Sequence, residues 1–197
     1  MSDPETLKVY ATQADDYAAF SSDHLTRDPL LTAFINTLPA GAHVLDLGCG
    51  PGAAAAVMAG AGLHVRATDA VPEMIALVPA DPNIHAQVQT FDQISGTDLY
   101  DGIWANYSLL HAPREQLPTI LRALHTALKS GGHFHIAMKL GETTARDSIG
   151  RQYTYVTEAE LHSLLTNAGF TPTKKHEGRD KGLDGTYADW IAVAAYG

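Results

Sequence analysis

Short apolar runs alternate with longer segments of helical periodicity along most of the chain. Residues 44–47 form a strand-length run, and residues 53–58 continue with small apolar side chains that fit a helix. Further strand-length runs occur at 64–69, 84–90, 102–106 and 133–138. Because strand signals separated by helix signals are typical of βαβ units, the pattern predicts an α/β fold with a parallel sheet.

The carboxyl-terminal part of the chain carries a different pattern. Thr157 and Glu160 form a capping box at the start of a helix that ends at Gly169. Strand-like runs at 170–177 and 188–195 then follow each other with only a charged turn between them. Two consecutive strands joined by a turn lie antiparallel, so the sheet is predicted to end in a hairpin.

Helical signals precede the first strand. Asp28 is a favourable N-cap and Pro29 suits the first helical turn, and an apolar stripe follows over residues 30–38. A second apolar helical face lies at residues 117–128. A chain of 197 residues is expected to form one domain, here 1–197, in which residues 1–40 are a helical cover.

The candidate chemistry concentrates at the end of the first strand, around Asp46, Gly48 and Gly50. Glycine lacks a Cβ, so it accepts positive φ and lets a ligand approach the backbone closely. The helix that follows offers unpaired N–H groups at its start. Asp69 closes the next strand about 20 residues later, where an acid in a nucleotide-binding βαβ unit meets ribose hydroxyls.

Two ligand classes satisfy this glycine spacing, and Asp46 separates them. Gly48, Gly50 and Ala53 fit a relaxed dinucleotide fingerprint, which places a pyrophosphate at the bend. A carboxylate repels a pyrophosphate, whereas it attracts the ammonium and sulfonium groups of S-adenosylmethionine. The bend therefore favours S-adenosylmethionine as cofactor, with S-adenosylhomocysteine as its product.

The stretch 44–52 resembles the first motif of the class I S-adenosylmethionine-dependent methyltransferases, and Asp69 matches their second motif. Residues 100–111 are similar to small bacterial methyltransferases of the tellurite-resistance-like group. The resemblance covers about residues 10–193. It implies a three-layer Rossmann-like α/β sandwich with a seven-stranded, mostly parallel sheet in the order 3-2-1-4-5-7-6, strand 7 being antiparallel.

The resemblance also implies cofactor contacts. Asp46 and the backbone at Gly48 and Gly50 would hold the methionine end, and Asp69 would hold the ribose. The remaining candidates cover the cofactor or contact its base: Tyr17, Ala70, Val71, Met74, Phe91, Asp92 and Asn106. For Tyr17 the alternative is packing on the sheet, and for Asp92 it is turn formation at a strand end.

The acceptor site is predicted at the carboxyl end of the 102–106 strand, in the crevice where ligands bind in open α/β sheets. His111 follows that strand, and a histidine there can take a proton as the methyl group moves. Its alternative role is structural. Further candidates for holding an anionic acceptor are Tyr107, Lys139, Arg151 and Tyr153. The alternative for residues 139–155 is a solvated loop whose charges face water.

The composition of the chain limits the classes of partner and metal that the sequence predicts. The net charge of -9 at pH 7 disfavours nucleic acid. The sequence has no apolar run of about 18 residues, so no membrane span is predicted. The one cysteine, Cys49, fits a reducing, cytoplasmic compartment. His133 and His135 share a strand face without a third ligand at a suitable spacing, so no metal site is predicted. The sequence leaves the oligomeric state open.

Two other functions remain compatible with the sequence. One is an NAD-dependent oxidoreductase, against which Asp46 and the terminal hairpin argue. The other is a non-catalytic module that binds S-adenosylmethionine, because the acceptor site is less well defined than the cofactor site. Methyl transfer to a small-molecule acceptor is the function that the sequence favours.

Overall fold

The computed structural model describes residues 3–25 and 28–197. The strands within those residues are β1 His43–Leu47, β2 His64–Asp69, β3 Ile84–Val88, β4 Tyr100–Asn106, β5 Leu128–Lys139, β6 Thr144–Arg146, β7 Gln152–Thr154, β8 Thr171–Lys181 and β9 Tyr187–Tyr196. The α-helices there are α1 Pro4–Thr12, α2 Ala14–Leu25, α3 Pro29–Asn36, α4 Ala53–Gly60, α5 Pro72–Leu77, α6 Leu117–Ala127 and α7 Glu158–Ala168.

Seven of these strands form one sheet in the order β3-β2-β1-β4-β5-β9-β8. The strands β3, β2, β1, β4 and β5 pair in parallel, and β9 runs antiparallel to both β5 and β8. This confirms the predicted sheet and its closing hairpin. The last two strands are the eighth and ninth along the chain because β6 and β7 form a separate small sheet.

Side chains alternate between the two faces of the sheet, and helices cover both. Val44 belongs to a buried cluster with α3 and α4, whereas its neighbour Leu45 belongs to a larger cluster with α6 and α7. Helix α6 buries Ile120, Leu121 and Leu124, as its apolar stripe predicts. The result is a layer of helices on each side of the sheet.

Helices α1 and α2 together form an N-terminal cover, which packs on the segment after β2. Val71 and Met74 are buried there with Ala14, and the Tyr17 ring packs against them. Helix α3 follows the cover and begins as predicted, with the Asp28 side chain as its N-cap. The cover therefore lies against the strand that carries the second predicted acid.

Two strand boundaries differ from the prediction by four or more residues. Strand β5 begins at Leu128, which pairs with Tyr100, and not at His133. Strand β8 continues to Lys181, so the first half of the charged segment 178–185, which was predicted as a turn, is paired strand. Most of β8 is exposed. An edge strand with polar side chains on both faces lacks the alternation by which strands are identified in a sequence.

The alternative of a solvated loop for residues 139–155 is wrong for its second half. Arg151 and Tyr153 are only 2% and 3% exposed. Arg151 is buried because Asp147 lies 2.7 Å from its guanidinium, and a buried charge requires such a partner. The polar composition of a segment does not report on burial when its charges neutralise each other.

The described part of the chain contains no helix that is long and apolar enough to cross a bilayer. Within the same residues, no three His, Cys, Asp or Glu side chains come together in a way that suits a metal ion. The two histidines of β5 have separate aromatic partners, since His133 packs on Tyr196 and His135 on Trp104.

Candidate active site

A central cavity of about 710 Å³ opens at the carboxyl ends of β1, β4 and β5. Its volume is in the range of small-molecule sites. The predicted site residues that line it are Tyr17, Asp46, Gly48, Asn106, Tyr107, His111, Lys139, Arg151 and Tyr153. The N-terminal cover and the β8–β9 hairpin supply further walls. The cavity thus unites the methionine end of the predicted cofactor site with the predicted acceptor site.

The glycine bend after β1 forms one wall of the central cavity. Gly48 and Gly50 have φ angles of 69° and 53°. A Cβ on Gly48 would stand 2.4 Å from the Cβ of Ser108, so no larger residue fits. The N–H groups of Gly48 and Cys49 both donate to the Thr68 carbonyl, at 2.7 and 2.9 Å. These bonds fix the bend to the end of β2.

Asp46 brings a buried carboxyl group to the wall of the central cavity. The residue is 3% exposed, and its Oδ2 has no hydrogen-bond partner among the described residues. Burial, together with the nearby Asp69 carboxylate, raises the pKa of Asp46 to about 7. A buried carboxylate without a partner is unfavourable, and a bound cation would satisfy it. The site therefore fits the cationic end of S-adenosylmethionine.

Asp69 ties the glycine bend to the segment after β2. Its Oδ2 accepts the N–H of Gly50 and its Oδ1 accepts the N–H of Val71, each at 2.9 Å. Burial raises the pKa of Asp69, and hydrogen bonds from the backbone N–H groups of Val71, Gly50 and Ala70 oppose that shift. Because each carboxylate oxygen can accept more than one hydrogen bond, Asp69 retains capacity for a ribose hydroxyl.

The N-terminal cover closes the side of the bend where adenosine contacts are predicted. The Tyr17 ring lies so close to Gly50 that a Cβ on the glycine would stand 3.2 Å from Tyr17 Cε1. The predicted contacts on this side that do not line the central cavity are Gly50, Asp69, Ala70, Val71 and Met74. The cover packs on Val71 and Met74, whereas Asp69 and Ala70 remain partly exposed.

Phe91 and Asp92 lie in a short 3₁₀ turn, Phe91–Gln93, after β3. Phe91 packs against the larger core cluster, and Asp92 is exposed. A hydrogen bond from Thr90 lowers the pKa of the Asp92 carboxyl. Neither Phe91 nor Asp92 lines the central cavity, so the structure does not bring them together with the predicted contacts on its wall.

His111 lies in the central cavity with both ring nitrogens engaged. The Gln152 carbonyl, which can only accept, is 2.8 Å from Nδ1, so Nδ1 carries the proton of the neutral ring. Nε2 is then an acceptor, and the Tyr10 hydroxyl donates to it at 2.9 Å. Burial lowers the pKa of His111 to about 4, and the cations Arg151 and Lys139 add to that shift.

Arg151 belongs to a charged network beside His111. Its Nη2 and Nε lie 2.7 and 2.8 Å from Oδ2 of Asp147. Its Nη1 donates to the Tyr10 hydroxyl at 3.0 Å. Tyr10 therefore connects Arg151 to His111 through two consecutive hydrogen bonds. Because Asp147 already neutralises the buried guanidinium, Arg151 has less charge to offer an acceptor than the sequence suggests.

The end of the central cavity that is predicted to bind the acceptor (the acceptor end) contains Tyr107, Lys139 and Tyr153. Tyr107 directly follows β4 and has a φ of 53°, a conformation that costs energy in a residue with a Cβ and is often found at functional sites. The Lys139 ammonium lies 3.9 Å from the centre of the Tyr153 ring. Partial burial lowers the pKa of Lys139, and Arg151 adds to that shift.

Asn106 is held by a neutral histidine. His135 Nε2 lies 3.1 Å from Asn106 Oδ1, and the His135 ring stacks on Trp104 with centroids 3.7 Å apart. Burial lowers the pKa of His135 to about 3, so the ring stays neutral. Since an amide oxygen only accepts, Nε2 donates, and the Asn106 NH₂ group is left for the cavity.

Three aromatic residues of the central cavity are absent from the sequence-based candidates: Tyr10, Trp104 and Trp190. Tyr10 contacts Tyr17 edge to face, with centroids 5.4 Å apart. They lie in different helices, α1 and α2, so their spacing in the sequence gives no helical signal for Tyr10. Trp104 and Trp190 lie in strands, where an aromatic side chain is ordinary core and gives no such signal.

Comparison with known sequences identifies a family and relatives. A family described as "Methyltransferase domain" matches residues 17–175. The ubiquinone biosynthesis O-methyltransferase of Xanthomonas axonopodis pv. citri is 30% identical over 155 residues, 66% of this chain and 63% of that protein. An uncharacterized methyltransferase of Synechocystis sp. is 30% identical over 156 residues, 69% of this chain and 70% of that protein. The chain thus spans less than two thirds of the length of the Xanthomonas relative.

Comparison with solved structures identifies the same fold. The 1,6-didemethyltoxoflavin-N1-methyltransferase of Burkholderia thailandensis, crystallised with 1,6-didemethyltoxoflavin and S-adenosylhomocysteine, aligns with a TM-score of 0.79 and 24% identity. The alignment covers 98% of this chain and 87% of that chain. The sheet, the helical layers and the cover are therefore those of a known architecture.

Proposed function

The chain belongs to the methyltransferase-domain family, and from that premise we propose that it transfers a methyl group from S-adenosylmethionine to a small-molecule acceptor. The observation that carries the proposal is the unpartnered Oδ2 of Asp46 beside the glycine bend. A buried carboxylate there attracts a cationic ligand and repels a pyrophosphate. The same observation disfavours an NAD-dependent oxidoreductase.

S-adenosylmethionine, when bound, supplies an electrophilic methyl group on its sulfonium sulfur. We assign Asp46 and the backbone at Gly48 and Gly50 to its amino-acid end, and Asp69 to its ribose. Ala70, Val71, Met74, Phe91, Asp92 and Asn106 are the remaining candidates around it, with Tyr17 above. The main contribution of the chain is alignment of the two reactants, which is worth up to about 7–11 kcal/mol in well-oriented systems.

His111 is assigned to the acceptor's proton. In the neutral ring Nε2 has the free lone pair, and the Tyr10 hydroxyl occupies it. A proton from the acceptor therefore reaches Nε2 through the Tyr10 hydroxyl or after displacing it. Because the pKa of His111 is about 4, the ring is neutral at physiological pH but is a weak base. An acceptor that binds with its nucleophile already ionised needs the least help from it.

Tyr107, Lys139, Arg151 and Tyr153 are assigned to the acceptor. The names of two similar proteins support a small molecule in this role, one from ubiquinone biosynthesis and one with bound 1,6-didemethyltoxoflavin. Membership of the tellurite-resistance-like group, a cytoplasmic location and the absence of nucleic-acid partners stay predictions, as does the single-domain organisation.

Binding of the product tests the cofactor assignment. S-adenosylhomocysteine at about 100 times its Kd should raise the free energy of unfolding by about 2.7 kcal/mol, because it binds only the folded state. NAD at the same concentration should leave stability unchanged. Calorimetric titration and thermal unfolding measure both effects. Stabilisation by NAD together with none by S-adenosylhomocysteine would refute the proposal.

Turnover tests whether the protein transfers the methyl group to a small-molecule acceptor. Protein and methyl-labelled S-adenosylmethionine are incubated with a panel of phenols, nitrogen heterocycles and thiols, and label is followed into the acceptor. We expect transfer to at least one small molecule. Tight binding of S-adenosylhomocysteine without turnover on any acceptor would instead support a non-catalytic binding module.

A further inference from the structure

Lys139 presents a cation to the acceptor end of the central cavity without an acidic partner. None of the ion pairs among the described residues includes it. Of the two acids that act on it electrostatically, Asp147 is paired with Arg151, and Asp184 accepts two hydrogen bonds from Thr186. The Lys139 ammonium rests on the Tyr153 ring. A partly buried cation in this state is complementary to an anion.

Trp190 supplies a fixed aromatic surface next to that cation. Lys139 and Trp190 are register partners across β5 and β9, so both side chains leave the sheet on the same face. The indole N–H donates to Asp180 at 2.7 Å, and the Tyr107 ring meets the indole edge to face with centroids 6.4 Å apart. These two contacts hold the ring in one orientation.

Gly178 explains why the indole can lie flat at this position. It is the register partner of Trp190 on the other side, in β8. A Cβ at Gly178 would stand 2.4 Å from Cζ2 of Trp190, so the ring occupies the space that any other residue would fill. The surface of Trp190 that lines the central cavity is therefore an aromatic wall beside the Lys139 ammonium.

We propose that the acceptor is a planar aromatic anion, whose ring packs on Trp190 and whose anionic group pairs with Lys139. This rests on the proposed function and names the acceptor class of the same site. An aliphatic anion would use Lys139 but gain nothing specific from the indole face. A neutral aromatic would use Trp190 but leave the ammonium without a partner. The two residues together select both properties.

Three probes of similar size separate charge from planarity. Naphthalene carboxylate has both properties, naphthalene carboxamide has the ring without the charge, and decalin carboxylate has the charge without the aromatic ring. Each is titrated calorimetrically into the protein with and without saturating S-adenosylhomocysteine. We expect naphthalene carboxylate to bind at least about tenfold more tightly than the carboxamide and about fivefold more tightly than decalin carboxylate.

Variants assign each preference to a residue. Lys139→Met should abolish the preference for carboxylate over carboxamide, and Lys174→Met, at an exposed lysine of β8, should retain it. Trp190→Leu should abolish the preference for the aromatic ring. Trp190→Phe should keep most of it, and Tyr187→Leu, at an exposed aromatic residue of β9, should keep all of it.

The outcomes separate the inference from the proposed function. The inference would be overturned if naphthalene carboxylate did not bind or if the three probes bound equally. It would also be overturned if Lys139→Met kept the preference for carboxylate, or if Trp190→Leu kept as much of the preference for the aromatic ring as Trp190→Phe. Failure of S-adenosylhomocysteine to bind would overturn the proposed function alone, because the probe preferences are also measured without it.

Discussion

Asp46 combines two demands that oppose each other. Its carboxyl group is buried without a hydrogen-bond partner for Oδ2, which destabilises the ionised form in the ligand-free protein. The same feature makes the site complementary to an ammonium or sulfonium group. A residue that weakens the free protein and strengthens the complex is typical of a binding site, where stability and function compete.

The first prediction concerns stability. The pKa of Asp46 rises from 3.8 to about 7 on folding. Between those values the folded state keeps a proton that the unfolded state has lost, so stability falls as pH rises, and it levels off above the folded pKa. Asp46→Asn removes this loss and should raise the free energy of unfolding at about pH 8 by up to about 4 kcal/mol. Urea unfolding across pH measures it, and an unchanged pH dependence would contradict the assignment.

The second prediction concerns the affinity of the same site. A proton on Asp46 competes with the cationic ligand, so the Kd for S-adenosylhomocysteine should rise as pH falls through about 7. Asp46→Asn should bind much more weakly and lose this pH dependence. Calorimetric titration over a pH series provides the measurement. The more stable variant is then the weaker binder, which a purely structural role of Asp46 does not produce.

The third prediction concerns His111. Because burial holds its pKa at about 4, its ring should show no titration near 6.5 in NMR spectra of the folded protein. Replacement by Gln should lower kcat by about 100-fold if the ring takes the acceptor's proton. His64, an exposed histidine of β2, serves as the control for the kcat measurement. A near-normal kcat for His111→Gln would leave the ring a structural role only.

At the scale of elements, the β6–β7 hairpin binds the N-terminal cover through ion pairs and hydrogen bonds. Arg146 contacts both oxygens of Asp3 at 2.8 Å, and Glu5 lies 3.2 Å from its Nη1. The Gln152 N–H donates to the Thr6 hydroxyl at 2.8 Å. The hairpin therefore holds α1 in place, and the cover in turn packs on the side of the glycine bend where adenosine contacts are predicted.

The fourth prediction tests whether the β6–β7 hairpin holds the N-terminal cover in place. Arg146→Ala should increase hydrogen exchange in α1 and speed dissociation of S-adenosylhomocysteine severalfold, because the cover then opens more often. High salt should reduce the difference from the wild type, since these charges are exposed. Lys175→Ala removes a comparable surface ion pair on β8 and is the control. Equal exchange in α1 for both variants would show that the hairpin does not hold the cover.

At the scale of the whole molecule, the sheet separates two apolar clusters of unequal size. The larger one lies under α6 and α7 and contains Phe134, which stacks on Phe170 with centroids 4.4 Å apart. The central cavity lies at the carboxyl ends of β1, β4 and β5, and of this cluster only Leu110 and Tyr153 line it. Stability should therefore be set mainly by the larger cluster and ligand binding mainly by the cavity wall.

The fifth prediction follows from that separation. Phe134→Ala should cost about 3–5 kcal/mol of unfolding free energy, because it empties a site that is 1% exposed. Tyr187→Ala, at a side chain that is 64% exposed, should change stability by less than about 0.5 kcal/mol. Urea unfolding measures both. A cost for Phe134→Ala close to that of Tyr187→Ala would contradict the placement of the main core.

The sequence by itself predicted the strands, the closing hairpin and the class of the cofactor, and its resemblance to the class I methyltransferases implied the sheet order. Strand runs, caps and glycine spacing are local signals, which are read within a few turns of the chain. The position of Asp46 beside the bend is such a signal, because the two lie only two residues apart.

Tertiary structure alone decided which side chains meet in the central cavity. Tyr10 and His111 are 101 residues apart in the chain, yet they share a hydrogen bond. Trp190 reaches Lys139 only because β9 pairs antiparallel with β5 in one particular register. Such contacts depend on how distant segments pack, and no local pattern encodes that packing, so the partners of the predicted acceptor residues became visible only in the fold.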